Sequence, residues 1–241
     1  MTQPVLAREN QQTRTVVNTF IQSVYNWMAI GLALTGVMAY YVGQFVENML
    51  RTNPAAFQSI QPIFFILIIA ELGLVFYLSA RIQKIEAKTA TALFVIYALL
   101  NGITLSFIFL AYTLSSIAST FFICAATFGA CSVYGMITKR DLTGLGQFMF
   151  MGLIGIIIAS IVNFFLRSTG MTMIISYIGV FVFVGLTAYD TQKLKIMALT
   201  QPEGLDAAVV RKGAIMGALS LYLDFINMFL FLLRIFGVNR E

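Results

Sequence analysis

The sequence predicts an all-α integral membrane protein with seven transmembrane helices, and three observations point to that fold. Apolar residues make up 59% of the 241-residue chain and charged residues only 10%, whereas a soluble domain carries about 25% charged residues. Mean hydropathy is correspondingly high, at +0.88. The apolar residues also come in stretches of about 20, the length that crosses a hydrocarbon core as an α-helix. The charges fall between those stretches.

Residues 1–20 form a polar arm carrying Arg8 and Arg14, and residues 21–237 a single seven-helix domain. The first span covers about Val24 to Val46, followed by a loop with Arg51 and Pro54. The second runs from about Ile63 to Ala80, where Pro62 suits the first helical position because its missing N–H costs nothing there. A basic loop with Arg81, Lys84 and Lys88 leads to the third span, Ala90 to Ala111. A turn at Tyr112–Ser116 precedes the fourth, about Ile117 to Thr138, closed by Lys139, Arg140 and Asp141. The fifth covers Gly146 to Leu166. After a turn at Arg167–Gly170 comes the sixth, Met171 to Thr191. The longest internal loop, Gln192 to Lys212, holds Lys193, Lys195, Arg211 and Lys212. Ala214 to Phe236 make the seventh span, and residues 238–241 a short tail. The sequence shows no clear internal repeat.

Alternate connecting segments differ in charge. With the N-terminus cytoplasmic, the inner segments collect eleven Lys/Arg and the outer ones four, as the positive-inside rule requires. A re-entrant seventh segment would place Arg234 and Arg240 inside as well, but 23 residues without proline favour full spanning. The first 20 residues contain no apolar core, so no cleavable leader is visible and the first span directs insertion.

The net charge of +5 is spread over short loops rather than gathered on one face, which argues against a nucleic-acid partner. The bilayer is the expected partner. Histidine is absent, which removes imidazole metal sites, Ser/His and Cys/His catalysis, and the side chain that normally titrates near neutrality. Any pH response then falls to carboxylates. Cys124 and Cys131 lie about 10 Å apart along one helix, too far for a disulfide, whose Cα atoms lie within about 7 Å. They are expected to be reduced packing residues.

Polar residues inside spans need a reason. A carboxylate at the centre of a spanning helix costs about 3 kcal/mol on insertion scales. Asp190 near the end of the sixth span and Asp224 in the seventh are therefore functional-site candidates, and Glu71 in the second span is a weaker one. Residues at i, i+3, i+4 and i+7 share a helix face, which aligns Gly213, Gly217, Ser220, Asp224, Asn227, Phe231 and Arg234 in the last span. That stripe should face other helices or a wet cavity, placing the last helix centrally. Ser176, Gly179, Phe183, Thr187 and Asp190 line a second track. Asn101, Thr104, Ser160 and Asn163 are the other polar residues within spans, and interhelical hydrogen bonding, at about 0.6 kcal/mol each, accounts for them. No basic residue sits in the middle of any span, so protonation or a shared proton is what would make the acids tolerable.

The segments Leu186-Thr187-Ala188-Tyr189-Asp190-Thr191-Gln192 and Ala218-Leu219-Ser220-Leu221-Tyr222-Leu223-Asp224-Phe225-Ile226-Asn227 resemble the signature of the transmembrane Bax-inhibitor family, bacterial type. The seven-span layout agrees over about residues 20–237. The resemblance implies six helices surrounding a central, C-terminal seventh, with a di-aspartyl site, here Asp190 and Asp224, between the sixth and seventh. Bacterial members are described as pH-sensitive calcium leak channels, and eukaryotic ones as suppressors of cell death that lower calcium in internal stores. The function it implies is thus a non-enzymatic calcium leak channel of a bacterial inner membrane, gated by protonation of the dyad. Asn227, Ser220, Thr187 and Glu71 would be the supporting polar lining.

Two close carboxylates in low dielectric resist double ionisation and titrate as one unit. Calcium takes 6–8 oxygen ligands, so Asp190 and Asp224 with Asn227 and hydroxyls would bind it only weakly, as a permeant ion. No other cofactor is implied. Two features fit less easily. Counted from Lys193 and Lys212, the aspartates differ in depth by roughly 13 Å at 1.5 Å per residue, so a helix must be shifted or must extend, as the sixth would by reaching Leu199. The family arrangement also latches the dyad with a basic residue on the second helix, where this chain has Glu71 mid-span and its nearest arginine, Arg81, at the end.

Three other functions compete. An intramembrane aspartyl protease also carries aspartates on its sixth and seventh helices, but its Gly-x-Gly-Asp element is Leu221-Tyr222-Leu223-Asp224 here, and its Pro-Ala-Leu element is absent. A proton-coupled transporter would use the acids as a relay, with Gly152 and Gly155 able to interrupt the fifth span. A regulatory membrane protein without transport is the last alternative.

Overall fold

The computed structural model describes residues 3–53, 55–200 and 205–240 and, within them, every side chain except those of 3–16, 56, 57 and 59. Pro54 and the side chains of Arg8 and Arg14 lie outside the described residues. The described chain is helical: α1 (Gln3–Thr52), α2 (Ala56–Arg81), α3 (Ala87–Leu105), α4 (Ile108–Ala111), α5 (Leu114–Ile137), α6 (Thr143–Leu166), α7 (Thr169–Leu199) and α8 (Ala207–Phe236). Seven helical stretches are long and apolar enough to cross a membrane, α3 and α4 together forming the third. The protein is an integral membrane protein.

The helices differ from the expected spans in four places, the last being α7, which runs past Thr191 to Leu199. The N-terminal arm continues the first span as helix, since no proline and only Gly31, Gly36 and Gly43 interrupt residues 5–52 and helix formers fill the polar part. Pro62 does not start α2 but lies inside it. Its ring deprives the Gln58 carbonyl of its partner within the helix, at the exposed start of α2. The third span is broken: Ser106 N–H donates to Ile103 O and Phe109 N–H to Ser106 O, the three-residue spacing of a tightened turn. Meanwhile α6 runs unbroken through Gly152 and Gly155.

The helices group into two compact units. In the unit holding residues 24–117, 204–219 and 238–241, α1 and α3 meet through small residues. A Cβ on Gly102 would lie 2.7 Å from Thr35 O, and one on Gly43 3.1 Å from Ser106 O. Thr35 Oγ1 donates to Ala98 O at 2.8 Å. Such close backbone approach is how membrane helices gain packing energy when lipid is as apolar as leucine.

This unit also decides the path of the last helix. At its start, Lys212 Nζ donates to Gln83 O in the α2–α3 turn. Beyond its end, Asn239 pairs with Tyr112 in the α4–α5 turn, and Arg240 N–H donates to Ala111 O. Those turns lie at opposite ends of the third span, so α8 crosses completely and is not re-entrant. Arg240 also makes a bidentate ion pair with Glu47, both contacts at 3.0 Å, and Glu47 holds Arg51 as well.

The other unit takes in α1 as far as Ser23 together with α5, α6, α7 and α8 from Ser220 onward. A Cβ on Gly179 would strike the Phe231 ring, and one on Gly185 the Met149 side chain. Phe225 of α8 contacts Phe121 and Phe128 of α5, and Cys124 donates its thiol to Phe225 O. Both cysteines are free. Of the seven spanning stretches α8 is the most buried, at 72%, with α7 next at 50%.

Candidate functional site

The site residues come from the second half of α7 and the middle of α8. Along α7, Leu186, Thr187 and Ala188 are buried, and the Thr187 hydroxyl donates to Phe183 O one turn back, so it needs no partner on another helix. Tyr189 packs over Gly146, where any Cβ would overlap its ring, and Gly135 faces the Ala188 carbonyl at equally close range. These two glycines let α5 and α6 press against the backbone that presents Asp190.

The next two residues fix that backbone. Thr191 and Ser132 hydroxyls are hydrogen bonded at 3.3 Å. Gln192 accepts from Leu142 N–H at 2.8 Å and donates to Arg140 O at 2.7 Å, tying the α5–α6 turn to α7. The signature segment contains both residues, yet spacing alone assigns them no role, because their partners lie 50 or more positions away. α7 also continues to Leu199, so Asp190 sits two helical turns inside the helix rather than at its end.

On α8, Leu221 and Tyr222 are completely buried, Asp224 is 5% exposed, and its Oδ2 has no hydrogen-bond partner among the described residues. Asp190 is half-buried. Lys193 stands one turn further along α7 from Asp190, and no direct hydrogen bond joins the two carboxylates among the described residues.

Between Gly213 and Arg234 the last helix is buried nearly all round, with one exception. Gly213, Met216, Ser220, Leu223, Asn227 and Leu230 are half-buried and Arg234 exposed, a three-four alternation that follows one line down the helix. This strip shares Gly213, Ser220, Asn227 and Arg234 with the predicted polar stripe, whereas Gly217, Asp224 and Phe231 are buried beside it. Asn227 donates to Leu223 O, and Arg234 lies over the Phe231 ring of its own helix.

Glu71 has partners of its own. Its carboxylate accepts from Thr104 Oγ1 at 2.9 Å and from Asn101 Nδ2 at 3.3 Å. The acid, the amide and the hydroxyl that the sequence marks separately form one buried cluster between α2 and α3. Among the described residues, no group of three or more His, Cys, Asp or Glu is placed to hold a metal ion.

Fold and residues together define a seven-helix integral membrane protein whose last two helices each bring a carboxylate into packed protein. The chain belongs to the Bax-inhibitor family: the family model described as "Inhibitor of apoptosis-promoting Bax1" matches residues 17–241. It is 53% identical over 232 residues to inner membrane protein YbhL of Escherichia coli K12, covering 95% of each chain. It is 44% identical over 238 residues to an uncharacterized protein of Borreliella burgdorferi, covering 98% of each. To an uncharacterized protein of Deinococcus radiodurans it is 42% identical over 236 residues, covering 98% of this chain and 97% of the other.

Proposed function

We propose that the protein is a pH-sensitive calcium leak channel of a bacterial inner membrane, in which protonation of Asp190 and Asp224 controls the pathway. The observation that carries this reading is Asp224 itself: a carboxylate on a spanning helix, buried and with an oxygen that has no hydrogen-bond partner among the described residues, in the same compact unit as Asp190 of α7. Adding or removing one proton then changes the field at the other group, which is what a gate without histidine requires.

The half-buried strip on α8 supports a route for the ion, since it exposes Ser220 and Asn227 on either side of Asp224. Two carboxylates with a few neutral oxygens hold calcium loosely, and weak binding suits passage. Glu71 enters this reading as a separate acid, fixed by α3. The N-terminus is read as cytoplasmic from the charge asymmetry. No catalytic step is invoked, and calcium is the permeant species rather than a resident cofactor.

Purified protein in liposomes loaded with a calcium indicator tests the proposal. Calcium flux is expected to vary with pH, and Asp190→Asn or Asp224→Asn to alter that dependence. Flux and pH profile unchanged in both variants would remove the dyad from the mechanism. Aspartate-dependent cleavage of a transmembrane peptide added to the same vesicles would favour a protease instead.

A further inference from the structure

We propose that the α2–α3 turn and the start of α8 form a docking site for the headgroup of an anionic phospholipid. Arg81, Lys84 and Lys88 lie in or beside the turn. Lys212 donates to Gln83 O at 3.1 Å and Arg211 Nε to Thr91 Oγ1 at 3.2 Å, which fastens the start of α8 against the same turn. Five cations therefore gather at one end of these helices, four of them exposed and Lys212 half-buried.

Among the described residues no acid answers their charge. The described acids closest to them in sequence are Glu86 in the turn and Asp206 before α8, and Asp206 accepts from the Ala208 N–H. Neither pairs with any of the five: the ion pairs among the described residues are Arg51–Glu47 and Arg240–Glu47. At the opposite end of the unit, by contrast, Glu47 answers both arginines. The unpaired end is also where the membrane requires a counter-charge, since basic groups beside a spanning helix attract anionic lipid by about fivefold each.

Two features select a lipid over a soluble anion. The parts of α2 and α3 that run on from the cations are exposed and apolar, with Phe76, Tyr77 and Ile96 all uncovered, as acyl chains need. Trp27, the single tryptophan, holds its ring 5.7 Å from the Arg211 guanidinium carbon, the pairing of an aromatic with a cation that marks the headgroup level.

Trp27 also reports on the site. The full chain is placed in bilayers that mix phosphatidylcholine with phosphatidylglycerol, and Trp27 fluorescence is quenched by either lipid brominated on its acyl chains near the headgroup. Phosphatidylglycerol is expected to outcompete phosphatidylcholine at Trp27 by at least about fivefold at low salt, and added salt to erase the preference. Lys84→Ala with Lys88→Ala, which removes two of the five cations, should lower the ratio several-fold, while Lys139→Ala with Arg140→Ala leaves it unchanged. Parity in the native chain would overturn the proposal, as would a ratio that survives the Lys84/Lys88 change. An equal fall in the Lys139/Arg140 variant would mean diffuse surface charge, and loss of the preference on adding inorganic phosphate at constant ionic strength would make the occupant a soluble anion. Should the double variant not fold, Lys84→Ala alone gives the same test with a smaller drop.

Discussion

Replacing Gln192 by leucine tests how the aspartate of α7 is held. Gln192 and Leu142 are each only 6% exposed, and the amide side chain serves the Leu142 N–H and the Arg140 carbonyl at once. Gln192→Leu keeps the volume and removes both bonds. The lost bond to the Arg140 carbonyl costs about 1 kcal/mol, and the stranded Leu142 N–H about 1–3 kcal/mol. The sum, roughly 2–4 kcal/mol, lowers the unfolding midpoint by about 5–15 °C at about 2–4 °C per kcal/mol for a chain of this size. Cys124, fully buried, provides the assay in a Cys131→Ala background, because a thiol-reactive fluorophore then labels the chain only as it unfolds on heating. Gln192→Glu still accepts from Leu142 N–H but loses its donor to the Arg140 carbonyl, so its midpoint should fall between the other two. A midpoint in Gln192→Leu equal to that of the native chain would refute the claim that this side chain ties the α5–α6 turn to α7.

Two further outcomes are expected. Gly146→Val drives a Cβ into the Tyr189 ring beside Asp190 and should cost about 1–3 kcal/mol of overpacking, seen as a lower midpoint in the same thiol assay; Gly129→Ala, where a Cβ meets nothing within 4 Å, should not lower it. The hydroxyl and the backbone N–H of Thr143 both donate to Asp141 and hold its carboxyl below the usual range. With the folded pKa depressed, that contribution is complete above the unfolded value of about 3.9 and is lost as pH falls through the folded one. Asp141→Asn should therefore flatten the acid side of a plot of midpoint against pH, and an unaltered slope would show that Asp141 contributes nothing to it.

What the sequence determined is what one dimension encodes. Run length and hydropathy gave seven spans, because burying backbone in lipid forces each segment to satisfy its own hydrogen bonds as a helix. The cost of a carboxylate in hydrocarbon singled out Asp190 and Asp224, and their flanking residues carried the family. The tertiary structure decided what depends on partners far along the chain. That α2 starts before Pro62 and that the third span breaks at Ser106 are seen only in the structure. The full crossing of α8 follows from Lys212 and Arg240 reaching turns at opposite ends of the third span. Gln192 and Gly146 matter only because Leu142, Arg140 and Tyr189 come to meet them, and Glu71 finds Asn101 and Thr104 some thirty residues on. Local patterns fix which segments are helices, whereas contact between segments is a property of packing, which no periodicity records.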